Sequence, residues 1–110
     1  MRRGEVRWYT FQAPDKRRPV LILTRDSAIS FLQSITVAPI TTTVRDIPSE
    51  VFLTREEDGL HTVCAANMDS IQTVPKDKLG PAIAYLSPDR LAEVNRAVAF
   101  ALGLDTPISW

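Results

Sequence analysis

The sequence has one cysteine, one histidine and only four glycines among 110 residues. A lone Cys64 can form neither an internal disulfide nor a cysteine zinc cluster, and it suits a reducing compartment. Flanked by Val63 and Ala65, it reads as a small core residue rather than a nucleophile. His61 would have to be the base of any Ser/His/Asp triad, yet it stands beside a turn among residues that do not form one, so it reads as a surface side chain. No CxxC, HExxH, GxSxG or glycine-rich phosphate loop occurs, so the expectation is no metal and no cofactor. Apolar runs such as Pro19 to Leu23 are too short to cross a bilayer, and the basic start MRRGEVRWYTF is not followed by a signal-peptide core. The expected protein is therefore cytoplasmic, with no membrane partner.

With 45% apolar and 24% charged residues, the composition is that of an ordinary folded chain, and its length predicts a single domain over 1–110. The core is modest, so pairing with a second copy would help stabilise it. Formal charge is zero, but its distribution is uneven: residues 1–25 hold seven basic and two acidic groups, a net +5, and residues 26–110 hold six and eleven, a net −5. A basic N-terminal region suits a surface for a polyanion, and it equally suits arginines that merely solvate strand ends.

Gly4 to Phe11 alternates, with Val6, Trp8 and Thr10 on one side and Glu5, Arg7 and Tyr9 on the other, which predicts a strand with one buried face. Gln12 to Arg17 reads as an exposed loop, and Pro19 to Thr24 as a strand covered on both faces. Asp26 to Ser34 predicts a short helical turn or an irregular crossing. Ser34 to Thr43 is rich in β-branched residues and predicts a strand, with Pro39 at an edge or bulge. Glu50 to Leu53 and His61 to Ala65 bracket a hairpin turn, and Met68 to Val74 reads as the final strand. Ser87 as cap, Pro88, and Leu91, Val94, Val98 and Leu102 at spacings of three and four predict a C-terminal amphipathic α-helix over about 87–102, stopped by Gly103. Short strands followed by one helix predict a mainly β fold, a strongly bent antiparallel sheet or partly open barrel.

Two short segments carry chemistry. In Arg18-Pro19-Val20-Leu21-Ile22 an arginine stands where a loop enters a buried strand; its guanidinium is permanently charged and can fork onto two phosphate oxygens. In Val37-Ala38-Pro39-Ile40-Thr41 a hydroxyl emerges at the end of an apolar strand, where it can hold a phosphate oxygen or orient an attacking hydroxyl. Arginine and threonine at such places are also common structural residues. Lys16, Arg17 and Arg7 are candidates for phosphate contacts, and Trp8 and Tyr9 for stacking on unpaired bases. Trp8 shares the face of Val6 and is expected in the core, which leaves Tyr9 as the stacking candidate.

The order GEVRWYTF, RRPVLIL, TVAPITT, then Asp69-x-Ile71-x-Thr73-Val74, KDKLG and a closing helix with LGL resembles the MazF/PemK toxin family along almost the whole chain. That resemblance implies an SH3-like barrel of the kind shared with the gyrase poison CcdB, usually as a homodimer. It implies cleavage of single-stranded RNA to 2′,3′-cyclic phosphate and 5′-hydroxyl ends, with the family's catalytic arginine falling on Arg18 and its threonine on Thr41. Gln72 stands where many relatives carry an arginine, and is taken as an RNA contact. The loop after the first strand is shorter than in relatives and lacks their glycine- and serine-rich sequence. The general base stays unassigned, with Glu5 a candidate. A MazE-like antitoxin is the implied partner, offering an acidic segment that folds onto the basic surface. Two alternatives are a CcdB-like poison acting through the region of Trp110, and an SH3-like adaptor without activity.

Overall fold

A computed structural model describes residues 1–11 and 17–106. Seven strands form one antiparallel system: β1 (Glu5–Thr10), β2 (Arg17–Ile22), β3 (Ser34–Thr41), β4 (Glu50–Leu53), β5 (Cys64–Asn67), β6 (Gln72–Pro75) and β7 (Ala82–Tyr85). Three helices accompany them: α1 (Asp26–Ile29), α2 (Arg55–Asp58) and α3 (Pro88–Ala101). Neighbouring strands run β4-β5-β3-β2-β1-β7, and β6 also pairs with β3. The result is the expected mainly β architecture, an SH3-like, strongly curled half-barrel with one substantial helix at the C-terminus. No helix among the described residues is long and apolar enough to cross a membrane.

The curl originates in β3. Its first half, Ser34 to Val37, pairs with β6, while Ile40 and Thr41 pair with β5. Pro39 sits between these two ladders, opposite Val20 of β2. Its missing N–H is thus tolerated in a central strand, because the partner on that side changes there. The expectation of an edge or bulge is corrected to this change of partner.

Both faces of the middle strands are covered. Val6, Leu21, Ala38 and Ile40 pack inward with Val94 and Ala97 of α3. Val20, Ile22, Ile35, Val37 and Val74 form a second cluster under Ile29 of α1, with Tyr9, Phe11 and Leu79 against it. Val20, Leu21 and Ile22 are fully buried, each worth at most about 1.5–3 kcal/mol. The face of β1 expected toward solvent is covered as well: Tyr9 packs against this second cluster and is half-buried, and Glu5, which Arg7 holds, is 1% exposed.

β4 and β5 pair as an antiparallel hairpin, but its second strand is Cys64–Asn67 rather than His61 to Ala65, and its connection holds a helical turn, α2, capped by the Thr54 hydroxyl and closed by Gly59 at φ 74°. The strand expected from Met68 begins only at Gln72, because Met68–Ser70 is a 3-10 turn whose entry is capped by Asn67. Nor is it the last: β7 follows and pairs with β1. Helix α3 matches its predicted span, with the Ser87 hydroxyl accepting from Arg90 N–H. It packs on β4 and on the Met68–Ser70 turn. Arg90 ties it to α2 by donating to Asp58 and Glu57 at 3.0 and 3.2 Å, and pairs within α3 with Glu93 at 3.1 Å. At the other end Gly4 takes φ 91°, and the Leu91 side chain lies 2.9 Å from where a Cβ would stand. Any side chain there meets both a left-handed backbone and the helix.

Candidate active site

Arg17 and Arg18 begin β2 while still exposed, before the strand dives into the core at Val20. The β1–β2 register sets Arg18 opposite Tyr9 and Pro19 opposite Trp8. On the other side the ladder reaches Val20 opposite Pro39; two residues further along each strand stand Arg18 and Thr41, on the same face by the two-residue strand period. Pro19 and Thr41 line one cavity; Arg18 adjoins it through Pro19 and is not among its lining residues. Among the described residues no carboxylate is in ion-pair contact with Arg17 or Arg18.

Thr41 is half-buried, and its Oγ1 accepts the Thr43 N–H at 3.1 Å. That bond engages a lone pair and fixes the oxygen. The hydroxyl proton is left able to donate outward.

The cavity beside these residues has a volume of about 200 Å³ and almost wholly apolar walls, among them Trp8, Ile40, Leu60 and Cys64, with His61 at its side. The Trp8 and His61 rings meet edge-on, 6.3 Å apart at 83°. The Arg17 guanidinium lies 4.5 Å from the Trp8 ring centre, a cation–π contact. The backbone of Trp8 is gripped on both sides: its N–H donates to Pro81 O at 3.3 Å and its carbonyl accepts Gly80 N–H at 2.8 Å. Gly80 allows this approach, since a Cβ there would lie 3.3 Å from that of Trp8. Trp8 is thus a cavity wall, not the core residue its alternation with Val6 predicts. The inward face of β1 and β2 reaches the barrel mouth at the Trp8–Pro19 pair, where packing gives way to solvent.

The other candidates are placed differently. Arg7 is committed, donating from Nε to Glu5 and from Nη1 to Gly80 O at 2.8 Å. Tyr9 meets Phe11 edge-on at 4.9 Å. Gln72 is exposed opposite Val37, four positions along β3 from Thr41 and so about 13 Å away. Lys16 lies outside the described residues, as does Trp110. Sequence reasoning passed over His61 and Thr42 as cavity residues; the only signal was the run of threonines continuing past Thr41.

Two groups are removed from proton chemistry. Burial alone raises the Glu5 pKa, but hydrogen bonds from Arg7 and Tyr85 outweigh it and hold the carboxyl below its ordinary value. At 1% exposure and engaged by those partners, Glu5 does not meet a substrate, so the candidate base is withdrawn. Burial, aided by Asp58, pushes the Cys64 thiol up to about 11, which keeps it protonated at neutral pH.

Residues 2–102 match the model of the PemK-like, MazF-like toxin of type II toxin-antitoxin systems. The chain is 37% identical over 103 residues to the probable endoribonuclease MazF2 of Mycobacterium tuberculosis, covering 94% of this chain and 99% of that protein. It is 43% identical over 96 residues to the endoribonuclease MazF3 of the same organism, covering 87% and 88%. Its structure superposes with a TM-score of 0.83 on an endoribonuclease from a mycobacterial species solved with its cognate antitoxin, at 32% identity and with 97% and 99% of the two chains covered. A family match over nearly the whole chain, on a half-barrel that carries the R-P-V and A-P-I-T strands side by side, leaves one conclusion: this chain belongs to the PemK/MazF family of type II toxins.

Proposed function

We infer that the chain is the toxin of a type II toxin-antitoxin pair and an endoribonuclease acting on single-stranded RNA. The observation that supports this is the β2–β3 ladder, which runs on from the Val20–Pro39 pair to bring the exposed Arg18 level with Thr41, whose fixed hydroxyl lines the neighbouring cavity. In the proposed reaction the ribose 2′-hydroxyl gives up its proton to solvent as its oxygen attacks the adjacent phosphorus, a 2′-O–P bond forms and the P–O5′ bond breaks. The products are a 2′,3′-cyclic phosphate and a 5′-oxygen that leaves as a hydroxyl after taking up a proton. Arg18 offsets the charge that builds on the non-bridging oxygens, and Thr41 donates a hydrogen bond to one of them. Neither role needs a metal ion.

Arg17, Gln72, Tyr9 and the loop residue Lys16 are proposed to contact flanking nucleotides, and Arg7 to support the site through Gly80. The whole of 1–110 is proposed to act as one domain, in the cytoplasm and as a homodimer. A MazE-like antitoxin with an acidic segment is the partner that restrains it, as the antitoxin-bound mycobacterial structure suggests. The gyrase-poison alternative is not favoured, because the curated relatives are endoribonucleases.

The test is cleavage of unstructured RNA by purified protein in excess EDTA, with the new ends assayed directly. The expected products carry 5′-hydroxyls that a polynucleotide kinase labels without prior phosphatase treatment. Activity that disappears with the chelator, or that survives intact in Thr41→Val, would sink the reading.

A further inference from the structure

We propose that the cavity walled in part by Trp8 and His61 is a slot for one unpaired nucleobase, that of a nucleotide flanking the phosphate proposed to be held by Arg18 and Thr41. This rests on the nuclease reading and deepens it, since such a slot sets the base preference at one position of the cleavage site.

Size comes first. At about 200 Å³ the cavity is smaller than the ~300–1,000 Å³ of sites for drug-sized ligands, and it is on the scale of a single heteroaromatic ring. Its shape agrees. The Trp8 and His61 rings stand at 83° to one another, so a flat guest can lie along one and meet the edge of the other, both favourable aromatic arrangements. An aliphatic side chain would suit the apolar floor but would gain nothing from the crossed rings.

Polarity is sorted in the way a nucleotide requires. Ile40, Leu60 and Cys64 form walls that are almost wholly apolar and suit the faces of a base, and Thr41, Thr42 and Thr62 contribute to the lining chiefly through carbon. Positive charge stands at the opening, with the Arg17 guanidinium over Trp8. A base held by apolar and aromatic walls, with its phosphate turned out to arginines, is how unpaired nucleic acid is gripped. Thr41 belongs both to the cavity wall and to the proposed phosphate site, so base and scissile phosphate would be adjacent. The backbone of this wall is also fixed: Gly80 and Pro81 engage both the N–H and the carbonyl of Trp8, which leaves less ordering of the slot to occur on binding.

The experiment uses 2′-O-methyl oligonucleotides, which lack the attacking hydroxyl, enriched for binding from a randomised pool. Each position of the enriched sequence is then replaced by an abasic residue. One abasic position is expected to weaken binding to the wild-type chain about tenfold, and that penalty should disappear in His61→Ala and shrink in Trp8→Phe. His61 is exposed, so His61→Ala should keep the wild-type melting curve. In a random RNA pool, the sites cut by His61→Ala should lose base preference at that same position. A flat abasic scan overturns the slot, as does an unchanged penalty in His61→Ala, or variants that alter only the affinity for a protein antitoxin. Failure of the nuclease reading looks different: the abasic penalty persists and depends on His61, while no RNA is cut.

Discussion

Two arginine clusters on this chain have opposite surroundings. Arg90 is enclosed by Asp58, Glu57 and Glu93, and Asp58 is itself buried and accepts the Thr54 N–H at 2.8 Å. Arg17 and Arg18 begin a strand with no carboxylate in ion-pair contact among the described residues, and the Arg17 guanidinium lies over the Trp8 ring. A guanidinium matched by carboxylates holds elements together; one left unmatched at a cavity mouth is available to a phosphate. Net charge, which is zero over the chain, conceals this division entirely.

The sharpest way to break the comparison is to remove one arginine from each cluster. Arg18→Ala should reduce RNA cleavage by about 10²–10³-fold, the usual cost of losing one charge-stabilising donor, with no change in melting temperature. Arg18→Lys should recover only part of the rate, because an ammonium cannot fork across two oxygens. Arg90→Ala should do the reverse. By stranding the buried Asp58 carboxylate it should destabilise the fold by about 3 kcal/mol in urea denaturation, while cleavage measured well below the melting point stays near wild type.

A smaller effect separates Arg7 from both clusters. The Glu5 carboxyl is held below its ordinary value of 4.5 by Arg7 and Tyr85 in spite of burial. A depressed carboxylate adds stability that is complete above the unfolded-state pKa and is lost as pH falls through the folded one. Wild-type stability should therefore decline on the acid side of 4.5, and Glu5→Gln should flatten that decline while costing about 1–2 kcal/mol at neutral pH. Smallest is Arg17→Ala, which should weaken RNA binding several-fold and lower the slope of log affinity against log salt by about 1.

Elements with long periodic patterns were legible from sequence. The Ser87–Pro88 start and the spacing from Leu91 to Leu102 specify α3, and the unbroken apolar run after Arg18 specifies a strand buried on both sides. β7 was not legible, because four residues following Gly80 and Pro81 contain no period, and only the distant β1 makes them a strand. The burial of Glu5 was hidden for the same reason: alternation describes one strand, whereas this carboxylate is held by Arg7 and by Tyr85 of β7. Within the proposed site, Arg18 and Thr41 drew notice because each stands where an apolar run meets solvent, and the family resemblance is what singled them out. Trp8 was misread because alternation marks the inward face without marking where that face opens.

The grip of Gly80 and Pro81 on Trp8 spans most of the chain; the neighbouring contact from Arg7 to Gly80 bridges 73 residues. On a translating ribosome, β1, β2 and β3 can pair soon after they emerge, yet the strand that fixes the far wall is made late. A nascent chain consequently carries its arginines and threonine before Gly80 and Pro81 have emerged to fix the Trp8 wall.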